Sequence, residues 1–159
     1  MEDIHRLIRE YREGPRQLAE LVGSLTDEQT DARPFADKWT IREVVCHLTD
    51  FEIVGAERIR RVLAEDNPSL PDGDPDAFAA ALHYENRCLA GELAAIESIR
   101  NSTAAMLSAC AVEDFQRTGV HSAEGPMTLE SLLERVTRHL PHHVRFIEEK
   151  LSALENGDG

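Results

Sequence analysis

Apolar residues recur at helical spacing in three stretches of the chain, and composition marks a further helix between the second and the last of them. Ile4, Leu7, Ile8 and Tyr11, then Leu18, Leu21 and Val22, mark a first helix over residues 2–24. Gly14-Pro15 interrupts it, and the missing proline N–H predicts a kink or a division there. Ile41, Val44, Val45, Leu48, Phe51 and Ile59 mark a second helix over 41–65. Thr40 and Glu43 before this stripe have the form of a capping box, a hydroxyl at the N-cap and a carboxylate three positions on. Residues 75–109 are rich in Ala, Leu, Glu and Arg and predict a third helix, with Gly91 as a weak point that close packing would explain. Leu129, Leu132, Leu133, Val136, Leu140, Val144, Ile147 and Leu151 give the fourth, opening at Thr128, running to about residue 154 and stopping near Asn156-Gly157. Between the second and third lies EDNPSLPDGDPD, whose prolines, aspartates and glycine predict an exposed loop. Residues 111–126, AVEDFQRTGVHSAEGP, break the helical pattern, and no segment alternates convincingly as a strand. Four amphipathic helices of this length predict an all-α, up-and-down-type four-helix bundle with one connection longer than the others. The expected organisation is a single domain over residues 1–155 with a disordered tail at 156–159.

Composition narrows the partners. The chain has 159 residues, enough for one sizeable core, and 17 basic residues against 30 acidic ones give a net charge of -13. That balance repels a phosphate backbone and anionic membrane surfaces, so neither nucleic acid nor membrane is an expected partner. No apolar run approaches the roughly 20 residues of a membrane span. The opening MEDIHRLIREYREG is amphipathic and charged rather than signal-like, and the expected compartment is the cytoplasm. Cys46, Cys88 and Cys110 are odd in number and widely spaced, which implies buried apolar residues rather than a disulfide framework.

Histidine placement carries the chemistry. In RHLPHHVRFIEEK, residues 138–150, His139 lies three after Val136 and His143 four before Ile147, so both fall on or beside the core stripe. Residues four apart stack on one helix face about 6 Å apart along the axis, and two imidazoles so placed can share one metal ion. His142 is rotated by about 100° and points elsewhere. A third ligand must come from another helix, and His47, between Val44 and Phe51 at the margin of its stripe, is the best candidate. Three histidines leave a coordination position open, as a catalytic metal needs, whereas structural zinc is closed by four protein ligands. The bland alternative is a pair of hydrogen-bonded core histidines. Pro141 either bends the helix so that the two rings converge or is a tolerated kink.

Several blocks together resemble one family. Trp39-Thr40-Ile41-Arg42-Glu43-Val44-Val45-Cys46-His47-Leu48-Thr49-Asp50, with Glu52 following, is similar to the second-helix signature of the DinB-like/YfiT-like superfamily. Arg117-Thr118-Gly119-Val120-His121 and Gly125-Pro126-Met127-Thr128-Leu129 look like the stretch entering its last helix, and His139-Leu140-Pro141-His142-His143 like its HxxHH segment. The order and separation of the blocks match, so the resemblance covers nearly the whole chain. It implies a four-helix bundle holding one divalent metal ion, nickel or zinc, on His47, His139 and His143. It also implies a homodimer. Some similar proteins are thiol S-transferases that use bacillithiol, mycothiol or another low-molecular-weight thiol; many carry only a provisional label as metal-dependent hydrolases.

Three functions follow as expectations. The leading one is a metal-dependent transferase joining a low-molecular-weight thiol to a small-molecule electrophile, the metal favouring the nucleophilic thiolate. The second is hydrolysis, the metal lowering the pKa of bound water and a carboxylate, Asp50 or Glu52, taking the proton. Asp50 could instead orient His47, and a solvated helix face is the plainer reading of both acids. The third is a metal-binding or assembly module without turnover. His121 is a candidate for the mouth of the site. His5 and His83 read as surface or packing residues, Trp39 as a core anchor, and Arg42, Arg58, Arg60 and Arg61 as a solvated helix face.

Overall fold

The computed structural model describes residues 2–157. Four long helices, α1 (Glu2–Val22), α3 (Ile41–Ala64), α5 (Leu89–Leu107) and α6 (Leu129–Gly157), form the bundle. Short helices α2 (Asp27–Asp31) and α4 (Pro75–Ala81) lie in the first two connections. α1 packs on α5 and α6, and α3 packs on the same two, so α1 and α3 stand diagonally across the bundle. Two apolar clusters fill it. One is built around Tyr11, Ile59, Leu107 and Leu133, the other around Leu18, Val45, Ile96 and Ile147.

The capping box predicted at the start of the second long helix forms. Thr40 Oγ1 accepts from the Glu43 N–H at 3.1 Å, and the Glu43 carboxylate accepts from the Thr40 N–H at 2.7 Å. Thr128 Oγ1 accepts from the Ser131 N–H at 3.1 Å where α6 begins. α6 then continues unbroken through Pro141 to Gly157, so the first two residues of the expected tail are helical; Asp158 and Gly159 lie outside the described residues.

α1 also runs through Pro15, which is buried. The reason lies in the core. A proline at position 15 frees the carbonyl four residues earlier, that of Tyr11. Arg100 Nη1 donates to that oxygen at 3.0 Å. Its Nε donates to Glu52 Oε2 at 2.8 Å and its Nη2 to the Val136 carbonyl at 2.9 Å, so one guanidinium, 1% exposed, ties α5 to α1, α3 and α6. Gly14 makes the approach feasible, since a Cβ there would stand 2.7 Å from Arg100 Nη1.

The connections depart from expectation in three ways. The predicted third helix is divided into α4, a 3₁₀ turn over Tyr84–Asn86, and α5. The chain reverses at His83, whose φ of 51° lies in the left-handed region, and this buries Tyr84 to 1% exposure. Local helix propensity yields to that burial. Secondly, β1 (Ser69–Leu70), β2 (Thr118–His121) and β3 (Gly125–Thr128) form a three-stranded sheet in that order, with β1 parallel to β2 and β2 antiparallel to β3. Strands of two and four residues are too short to show alternation in the sequence. Pro126, which has no N–H to donate, sits on the edge strand β3. Thirdly, all three connections between bundle helices are long, not one. Among the described residues no helix is long and apolar enough to cross a membrane.

Candidate metal centre

α3 and α6 pack face to face and bring three of the seven histidines together. His47 Nε2 lies 3.0 Å from His139 Nε2. The His143 ring centroid is 4.7 Å from each of the other two, and one ring nitrogen from every member falls within 4.8 Å of the others. The spacing of His139 and His143 on one face of α6, with His47 opposite, is the arrangement that the apolar stripes predict. His142 turns away, as expected, and its Nδ1 sits 3.2 Å from Arg145 Nη2 on the surface.

Aromatic rings wall this cluster. Trp39 and Phe51 stand 4.9 and 4.5 Å from the His47 ring, centroid to centroid. Trp39 thus belongs both to the core edge and to the site wall. Burial pushes His47 down to about 4. Burial first, and then the neighbouring imidazoles, push His139 and His143 down to about 3. All three are therefore neutral near pH 7, the form in which imidazole binds a metal.

The donor set fits a divalent ion. Two nitrogens bound at about 2.0–2.1 Å to one tetrahedral centre lie roughly 3.3 Å apart, close to the 3.0 Å between His47 and His139. A hydrogen bond between the two Nε2 atoms would leave His143 outside the pair, whereas one cation would engage all three rings. His47 and His143 also leave Nδ1 buried without a partner among the described residues, so no carboxylate orients either ring.

The carboxylates expected to help are committed elsewhere. Arg87 Nη1 donates to both oxygens of Asp50 at 2.9 Å, and Nη2 of the same arginine pairs with Glu92 at 2.5 Å. Glu52 accepts from Tyr11 at 2.5 Å and from Arg100 at 2.8 Å and is 3% exposed. Neither acid lines the cleft, neither is a free base, and neither lies on a solvated face. Sequence periodicity missed this because the partners, Arg87 and Arg100, come from distant parts of the chain. Glu52 and the hydroxyl of Tyr11 form a closed pair, which with burial pushes the tyrosine well above its ordinary range.

An open cleft of about 1270 Å³ leads to the imidazoles. Its floor is the face of α3 carrying His47, Phe51, Gly55 and Arg58; α6 supplies one wall, and the loop after β1 the other. His121 does not line it. That ring is buried on β2, with Nδ1 accepting from the Ala123 N–H at 3.3 Å. Arg42 and Arg58 correct the expectation of a solvated arginine face. Arg42 is buried against Asp27, Asp31 and Thr30, and Arg58 is buried in the cleft, while Arg60 and Arg61 are exposed. His5, His83 and Cys88 are exposed, and Cys110 is half-buried. Burial pushes the Cys46 thiol up to about 12, with its Sγ facing the Tyr84 carbonyl rather than the cleft.

Comparison with known proteins agrees with this geometry. YfiT of Bacillus subtilis (strain 168) is 29% identical over 144 residues, spanning 89% of this chain and 80% of that protein. A relative from Geobacillus thermodenitrificans (strain NG80-2) is 30% identical over the same shares of the two chains. Both are provisionally assigned as metal-dependent hydrolases. The solved structure of Bacillus subtilis YfiT, described as a probable metal-dependent hydrolase with an unusual four-helix bundle topology, superimposes with a TM-score of 0.91 at 26% identity, covering 98% of this chain and 89% of that one. A mycothiol-dependent maleylpyruvate isomerase shares the fold at a TM-score of 0.70 and 10% identity, over 89% of this chain and 59% of that one. The family model of the DinB superfamily matches residues 10–147. With the bundle, the histidine cluster and this match in agreement, the chain belongs to the DinB superfamily.

Proposed function

We propose that the chain is a metal-dependent enzyme that transfers a low-molecular-weight thiol to a small electrophile, with His47, His139 and His143 as the ligands of one divalent ion, zinc or nickel. The observation that carries the reading is a cluster of three neutral imidazoles at the end of an open cleft, with no uncommitted carboxylate beside them. An ion held there would supply Lewis acidity, favouring thiolate from a thiol or hydroxide from water. A thiolate attacks carbon directly: the C–S bond forms, the leaving group departs with its electron pair, and the thiol proton passes to solvent. No protein base is needed. The chain's own work is positional. Trp39 and Phe51 keep water from the His47 side, the low dielectric holds the rings unprotonated, and the cleft admits the electrophile.

Hydrolysis is the second reading, favoured by the provisional assignment of the relatives. With Asp50 and Glu52 locked in ion pairs, a hydrolytic reaction would release the proton of the attacking water to solvent rather than to a carboxylate of the chain. Elemental analysis of tag-free protein purified without added metal tests the site. One ion per chain is expected, lost in His143→Ala with helical content unchanged; unchanged stoichiometry in the variant removes His143 from the ligand set. Supplying a small thiol with a model electrophile and following thiol loss then separates transfer from hydrolysis.

A further inference from the structure

The cleft has a second chemical end. Arg58 lies eleven positions after His47, on the same face of α3, which places its Cα about 16 Å farther along the helix axis. It is 6% exposed yet lines the cleft. Among the described residues its hydrogen bonding is limited to Nη2, which donates to the Pro71 carbonyl at 2.5 Å; its Nε is buried without a partner. The other arginines of the cleft differ. Arg135 pairs with Glu124, Arg138 with Glu134, and Arg145 Nη2 lies 3.2 Å from His142 Nδ1; all three are exposed.

One carboxylate stands near Arg58. Asp72 Oδ1 is 3.6 Å from its Nη2 and 3.5 Å from His121 Nε2, ion-pair distances without hydrogen-bond geometry. His121 Nδ1 accepts a hydrogen bond from the Ala123 N–H, so in the neutral ring the proton sits on Nε2, the nitrogen beside Asp72. Two buried donors, Arg58 Nε and His121 Nε2, are thus left without a partner on either side of a half-exposed aspartate. Buried donors left unpaired are costly, and a planar guanidinium is suited to a carboxylate.

We propose that this end of the cleft is a carboxylate subsite, in which Arg58 binds the carboxylate of a ligand whose other end reaches the three imidazoles, and Asp72 competes for the same guanidinium. The proposal rests on the functional reading above for what the far end of the ligand does, but not for the subsite itself. The subsite makes the substrate, or the thiol, an extended monocarboxylate with an apolar middle, since Phe51 and Val136 line the stretch between.

The test begins on protein stripped of metal, so that it does not depend on the ion. Calorimetric titration with hexanoate and with hexanol is expected to show the carboxylate binding about tenfold more tightly, the scale of one charge-assisted hydrogen bond. Arg58→Leu should abolish the difference. Asp72→Asn should increase it, a gain that a damaged fold cannot mimic and that stands should Arg58→Leu fail to fold. Equal binding of the two probes by the wild type, a preference that survives Arg58→Leu, or no gain in Asp72→Asn overturns the subsite. A second arm locates its occupant. In cobalt-loaded protein, 6-mercaptohexanoate outcompeting 6-mercaptohexanol at the thiolate-to-cobalt absorption band places the carboxylate on the thiol. Hexanoate binding together with 2-mercaptoethanol places it on the electrophile. Absence of any thiolate band counts against the thiol reading alone, and the hexanoate result still decides the subsite.

Discussion

Single residues here act through what surrounds them. The three imidazoles are pushed down to about 4, about 3 and about 3 from the ordinary value near 6.5, because burial disfavours the imidazolium and, at His139 and His143, neighbouring imidazoles oppose a second charge. Between those values the unfolded chain binds more protons than the folded one, so stability is full above about pH 6.5 and drains away as pH falls toward 3. Metal-free protein should therefore melt at progressively lower temperature from pH 7 to pH 4.5, followed by circular dichroism. His139→Leu should flatten that profile; an unchanged slope would mean the ring is not buried as described. Arg100 is the second case. Glu52→Ala leaves its guanidinium buried with no counter-charge, which costs about 3–5 kcal/mol, and denaturant unfolding should show it. The pair was invisible in the sequence, where Glu52 sits five residues before the exposed Glu57 and reads like any helix-surface acid.

At the scale of elements, the site depends on how closely α3 and α6 approach. Gly55 sets that distance, for a Cβ on it would stand 2.5 Å from Val136 Cγ1. Gly55→Ala should destabilise the bundle by about 1–3 kcal/mol through overpacking and weaken metal binding, because the same two helices carry the ligands. Val136→Ala in the same chain should restore much of both. A glycine within a helical stripe announces close packing only when the facing residue is known. Helix starts, by contrast, were readable: Thr40 and Glu43 make their predicted bonds, and the last helix opens at Thr128 as expected, since capping is settled within four residues. The division at His83 was not, because a reversal in a segment of strong helix formers is driven by where Tyr84 and Arg87 find partners on α3.

For the molecule as a whole, a bound ion would bridge two helices that meet only through tertiary packing, and binding to the folded state alone adds stability by mass action. Raising free zinc or nickel to about a hundred times its dissociation constant should add about 2.7 kcal/mol, seen as a concentration-dependent rise in melting temperature. His143→Ala should show none of it. The homodimer implied by resemblance is a proposal at this scale, checked by light scattering on tag-free protein; a monomeric mass at all concentrations ends it.

What the amino-acid sequence determined was local and periodic. Three apolar stripes and one run of strong helix formers set the long helices, capping residues set where two of them begin, and the i, i+4 placement of His139 and His143 put two imidazoles on one inward face. These rest on spacings of a few residues, which a chain carries before it folds. The tertiary structure decided what depends on partners far apart in sequence: that α1 lies diagonal to α3, that Arg100 takes up the carbonyl freed by Pro15, that Asp50 and Glu52 are locked in ion pairs, and that Arg58 is buried at the far end of the cleft. Side chains of opposite charge do not announce their partners, and burial is a property of the packed bundle rather than of any one of its helices.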